Sequence, residues 1–125
     1  MQNTVNATTV AFYIVPLINA MIRVGSLEEK ERLFKAFIDG EELIESKKRG
    51  AKGAKEMAAI ESLRECTNAK SKQTRITDNM VDILESRIFK YDLLSHKILF
   101  VRLTDEDDFP NEVTGLVAMK LSVKF

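Results

Sequence analysis

Pro16-Leu17-Ile18-Asn19-Ala20-Met21-Ile22-Arg23-Val24-Gly25 sets two polar side chains four residues apart in an otherwise apolar run. At helical spacing Asn19 and Arg23 share a face, so an amide and a guanidinium point into one place. Burying both without partners is costly, so such a pair serves a cap, a domain contact or an anionic ligand. Ser26-Leu27-Glu28-Glu29 follows, a capping box in which Ser26 and Glu29 satisfy each other's orphan donors and open a new helix.

Outward from this point the charge is unevenly spread. Residues 26–46 read as a helix, with Leu33, Phe37 and Ile44 near one face, joined by Phe34 and Ile38, and Gly40 as a break or end. Lys47-Lys48-Arg49-Gly50-Ala51-Lys52-Gly53-Ala54-Lys55 carries five cations and two glycines in nine residues. Met57, Ile60 and Leu63 resume helical spacing. Thr77 or Asp78 is expected to cap a third helix through Val81, Leu84 and Ile88. After His96 the period changes to two. Lys97 to Leu103 reads as one strand, and Val117, Met119, Leu121, Val123 and Phe125 alternate with Ala118, Lys120, Ser122 and Lys124 as another. The predicted class is α+β: helices first, then a small C-terminal β-hairpin of strands 97–104 and 113–125.

Composition bounds the function without fixing it. The 125 residues hold 19 basic and 19 acidic side chains, so there is no net field to coat nucleic acid, although local segregation still acts. One cysteine, Cys66, forbids an internal disulfide and fits a reducing, cytoplasmic setting. The apolar run from Val10 to Ile22 is expected to be too short for a bilayer, broken by Pro16 and Asn19, and it lacks a signal peptide's basic start. No membrane partner is expected. Asn6-Ala7-Thr8 has the form of a glycosylation acceptor, without meaning in the cytoplasm.

Several features invite sharper readings. Gly50-Ala51-Lys52-Gly53 has the spacing of a KH-domain loop, but no strand precedes the adjoining helix, and a solvated interhelical loop explains it. Its cations could still border a single-strand groove and attract phosphates, with Arg64, Lys70, Lys72 and Arg75 extending the stripe. Asp105 to Asp108 would point alternately to opposite faces of a strand, which favours a solvated loop over a metal cluster. His96 has no His or Cys partner for a metal, and Cys66 fits a small packing role. Phe12, Phe34, Phe37, Phe89 and Phe100 could stack bases, but their spacing favours core burial.

The decapeptide resembles the segment that closes the catalytic domain of RecJ-type single-strand exonucleases, in the DHH/DHHA1 phosphoesterase superfamily. Pro16, Ile18, Asn19, Ala20, Arg23, Val24 and Gly25 fit that pattern, whereas Leu17 and Ile22 stand where the family usually has Arg and Gly. Near the other end, Val113, Gly115, Leu116, Val117, Ala118, Lys120 and Leu121 are similar to the opening of the DHHA1 domain. The Phe109 to Glu112 turn departs from the family's.

The resemblance implies an organisation and a role. Residues 1–46 correspond to the C-terminal part of a DHH-like catalytic domain, 47–95 to a basic loop and helical connector, and 96–125 to the start of DHHA1. The family's metal-binding Asp-His motifs have no counterpart here, so the chain is expected to be a central fragment with no catalytic residue of its own. Mn2+ or Mg2+ is implied for the parent enzyme, with the metal-binding half upstream of Met1 and the DHHA1 substrate motif downstream of Phe125. Single-stranded DNA is the expected partner, contacted by Asn19, Arg23, Lys48, Arg49, Lys52 and Lys55, and the divergence suggests a phage or mobile element. The isolated fragment is expected to self-associate through its C-terminal strand or an exchanged helix. Two other readings stay open: a free-standing protein-interaction adaptor, and a DHH phosphoesterase acting on oligonucleotides or cyclic dinucleotides.

Overall fold

The computed structural model describes residues 5–125, in two compact units that meet in sequence between Lys72 and Gln73. The described residues are mostly helical, with one two-stranded antiparallel sheet among them, so the α+β class is borne out. The sheet, however, lies in the basic region and not at the C-terminus.

In the first unit, α1 (Ala7–Thr9) runs through a π-helical turn (Val10–Ile14) into α2 (Val15–Val24). Pro16 lacks an N–H and crowds the preceding turn, and at that turn the bonding widens, with Val15 N donating to Val10 O. The helical run from Ala7 to Val24 is therefore unbroken. Its 18 residues are long and apolar enough to cross a membrane by length and composition alone, which corrects the expectation that Pro16 and Asn19 interrupt it. Ala20, Met21 and Val24 form its buried face.

The capping box forms as expected. Ser26 N donates to Glu29 Oε2 (2.7 Å), Glu29 N donates to Ser26 Oγ (3.2 Å), and α3 (Leu27–Ile38) follows. This helix ends just before Gly40, the break expected there, and does not reach Ser46; Ile44 belongs to β1 (Leu43–Glu45). β1 pairs with β2 (Lys55–Met57) in the register Leu43 to Met57, Ile44 to Glu56 and Glu45 to Lys55. The connector carbonyls of Gly40 and Glu42 then accept from Ala59 N (3.0 Å) and Ala58 N (2.8 Å), satisfying the first orphan donors of α4 (Ala58–Lys90). Arg32 ties α3 to α4 through Glu65, and Lys72 Nζ caps the end of α2 at Val24 O (3.0 Å). α4 runs without a break through Thr77 and Asp78, so neither is an N-cap. Thr77 Oγ1 donates back to Gln73 O (2.8 Å), which satisfies its buried hydroxyl within the helix.

In the second unit, Met80, Val81, Leu84 and Ile88 of α4 share a core with Val113, Val117 and Leu121. The expected strand at 113–125 is instead α5 (Thr114–Lys124). Val113, Val117, Leu121 and Phe125 are spaced by four, so the same residues that alternate also make a helical stripe. Burial selects that stripe: Val117 is 2% and Leu121 7% exposed, while Met119 at 60% and Val123 at 85% face outward. Lys120 pairs with Asp78 (2.6 Å), Lys124 with Glu85, and the Phe89 and Phe125 rings meet edge to face at 5.8 Å. Residues 97–104 form no strand among the described residues, for the partner expected at 113–125 is helical. The acidic run is a short 3-10 turn (Asp105–Asp107), in which Asp107 is held by Arg87 and so is not simply solvated.

None of the five phenylalanines expected in the core is buried there. Phe12, Phe34, Phe37, Phe89 and Phe100 are all exposed. Ile14, Leu17, Leu33, Phe37, Leu63 and Cys66 line an open apolar groove of about 190 Å3 in the first unit.

Gly25 closes α2 where a side chain would not fit. A Cβ there would lie 2.2 Å from Met21 Sδ and 2.6 Å from Met21 O. Gly25→Ala should lower unfolding free energy by about 1–3 kcal/mol in urea titration, with an unchanged m value.

Candidate nucleic-acid interface

The cations of the basic segment all stand on the β1–β2 hairpin. Ser46 N donates to Ala54 O (2.9 Å), and beyond that bond the chain makes two successive turns, closed by Ala51 N to Lys48 O and Ala54 N to Ala51 O, both 3.0 Å. Gly50 and Gly53 take positive φ, +84° and +83°, at the third position of each turn. Lys47, Lys48, Arg49, Lys52 and Lys55 are exposed. The Gly-x-x-Gly loop is thus a hairpin tip and neither a KH-type nor any other interhelical loop.

A set of polar contacts fixes the hairpin to the first turns of α4. Arg64 grips Glu56 with both arms of its guanidinium, Nη1 to Oε1 at 2.8 Å and Nη2 to Oε2 at 2.6 Å. It also bonds Glu61, which is 1% exposed. Ser46 Oγ donates to Glu56 Oε1 (2.8 Å) and accepts from Lys48 N (3.2 Å), while Lys47 N donates to Glu61 Oε2 (3.3 Å). One guanidinium thus brings the two carboxyls together. Arg64, with Glu61 and Ser46, holds Glu56 down to about 2. Burial, and the adjacent Glu56 carboxyl, pushes Glu61 up from the ordinary carboxylate value. Glu56 is therefore the carboxylate of the pair, and Glu61 the more readily protonated partner.

The sequence-derived residues fall on two elements. Lys48, Arg49, Lys52 and Lys55 share the hairpin. Asn19 and Arg23 lie one turn apart on α2, Asn19 exposed and Arg23 half-buried in the last turn, where it interacts within the protein. The proposed stripe through Arg64 and Lys72 is corrected, because Arg64 is committed to two carboxyls and Lys72 to a helix end. Sequence reasoning missed Ser46, Glu56 and Glu61. The signal available was the i,i+3 spacing of Glu61 and Arg64, which admits a pair on one helix face. Among the described residues no three His, Cys, Asp or Glu side chains gather as a metal site would need, so the residues present do not fit a two-metal centre.

Two relatives resemble nearly the whole chain, each 39% identical over 116 residues, or 91% of it. One is the SPbeta prophage-derived protein YorK of Bacillus subtilis (strain 168), the other the yorK protein of Bacillus phage SPbeta. Both are provisionally named single-strand DNA-specific exonucleases. The chain spans about 20% of their length. The class in their names is the one to which the two sequence motifs pointed. No family model matches the chain, and no solved structure does.

The clasp has a pH signature. The lowered pKa of Glu56 adds stability above the ordinary value of 4.5, and this is lost as pH falls from there through about 2. The raised pKa of Glu61 adds stability below 4.5 that is lost as pH rises through its folded value. Glu56→Gln should lower Tm at pH 7, by a difference that shrinks as pH falls from 4.5 towards 2. Glu61→Gln keeps an oxygen acceptor for Arg64 and Lys47 N and removes the buried charge, so thermal melts at pH 7 should show Tm unchanged or raised.

Proposed function

We propose that this chain is part of a RecJ-like exonuclease that degrades single-stranded DNA by metal-dependent phosphodiester hydrolysis. The observation that carries the reading is the 39% identity, over 91% of the chain, to relatives named for that activity. The hairpin supports it chemically. Its five cations are exposed along the hairpin and would gain affinity for a phosphate backbone by counterion release, without reading bases. Arg23 plays a different part. A half-buried, positioned guanidinium can stabilise charge at a phosphoryl group, whereas a tip lysine adds only to the local field. Asn19, one turn before it on the same helix, contributes an amide to that face.

The Mn2+ or Mg2+ ions of the parent would be held by residues outside this chain, since the residues described do not fit them. The enzyme acts in the cytoplasm, with the apolar α1–α2 run and the exposed phenylalanines of α3 serving protein contacts instead of lipid. Those exposed rings also favour the second reading, an adaptor docking a protein partner, and give the chain a surface through which to self-associate.

Two outcomes follow. Purified chain with Mn2+ or Mg2+ should release no nucleotides from end-labelled single-stranded DNA, and activity that survives repurification would overturn this division of labour. In the parent enzyme, Arg23→Ala should lower kcat by about 10²-fold, and Lys52→Ala far less, in steady-state assays.

A further inference from the structure

The hairpin tip is built as a repeat. Arg49-Gly50-Ala51 is followed directly by Lys52-Gly53-Ala54, and each tripeptide ends a turn of the same form. In the first turn, Lys48 O accepts from Ala51 N; in the second, Ala51 O accepts from Ala54 N. Ala51 closes one and opens the next. Arg49 and Lys52 therefore occupy the same corner, the second position, of consecutive turns, and Lys55 begins β2 three residues further on.

We propose that this tandem turn is a phosphate-binding element that engages adjacent phosphates of one nucleic-acid strand, Arg49 on the first and Lys52 on the next. This rests on the single-strand reading above and specifies how the strand is gripped. Each turn carries the backbone across about 7 Å or less, a step comparable to that between phosphates in an extended single strand. A cation at the same corner of each turn repeats with that step. Contacts to phosphates carry no sequence information, so the element gripping in this way is indifferent to sequence.

The glycines identify what the element requires. A Cβ at Gly50 or Gly53 would meet nothing within 4 Å, so neither is there to let another group approach. Their positive φ is the requirement, because residues other than Gly, Asn and Asp rarely adopt it. The tip is also held at both ends before any ligand arrives. Lys47 and Lys48 are tied through their backbone N–H groups to Glu61 and Ser46, and Ala54 O accepts from Ser46 N. Ordering of the backbone is thus completed in folding and not charged against binding.

The test measures binding of the chain to fluorescent oligothymidylate by anisotropy across a salt series. Arg49→Gln with Lys52→Gln removes two charges and should reduce the slope of log affinity against log salt by about 1.4. Gly50→Ala with Gly53→Ala keeps every charge but strains both turns, and should weaken binding several-fold with helical circular dichroism unchanged. Gly50→Asn with Gly53→Asn, which tolerates the left-handed region, should restore most of it. If the Ala pair unfolds, perturbation of the amide resonances of residues 49–53 by the oligonucleotide in the unaltered chain decides, and its absence overturns the proposal. Weakening by the Gln pair but not the Ala pair would overturn the tandem turn while leaving single-strand binding intact. No salt-dependent binding by the unaltered chain would overturn the proposal together with the reading on which it rests.

Discussion

Glu61 is an ionisable side chain folded almost completely out of water, and the first unit is arranged around satisfying it. A buried carboxyl without partners costs several kcal/mol, and breaking such a group from its partner is worse than never having the pair. Arg64 on the same helix, Glu56 on β2 and the Lys47 amide on the hairpin converge on it. Since Arg64 and Glu56 meet through two parallel bonds, helix and strand share one orientation. A three-residue, two-stranded sheet is marginal in water, and these side-chain bonds supply what six paired residues do not.

The legible parts of the fold were those with a local physical code. Ser26 and Glu29 form their box because both partners lie within one turn, and the α2 spacing of Asn19 and Arg23 needs only the helical period. The C-terminal segment failed for a reason visible in its own residues. Val117, Leu121 and Phe125 belong to both a two-residue and a four-residue pattern, and only the Met80 to Ile88 face of α4 chooses between them. The hairpin failed differently. Three residues per strand are too few for alternation to register, and the charged loop between them hides the pairing. For the candidate site, the cations were evident from composition alone. The carboxyls that orient them were not, for Glu56 and Glu61 are acidic side chains among many until Arg64 is seen between them.

The phenylalanines mark where one-chain reasoning stops. Their spacing suits burial, yet Phe34 and Phe37 of α3 stand in solvent beside an apolar groove. Apolar surface on this scale normally meets another surface. The relatives are about five times as long as the matched segment, since it spans 20% of them. Helical periodicity thus reports which apolar residues line up on a face without saying which of them this unit buries.

Cys66 gives the first unit a built-in chemical clock. Its thiol sits on α4 among the side chains of the groove, only 3% exposed, and burial pushes its pKa up. Alkylating reagents and disulfides attack the thiolate, so this sulfur is protected twice, by access and by protonation. Reaction waits on local motions that expose the sulfur at the groove, so the rate of thiol modification follows how often those motions occur. The single cysteine of the chain, read from outside, thus reports on motion at the floor of the groove.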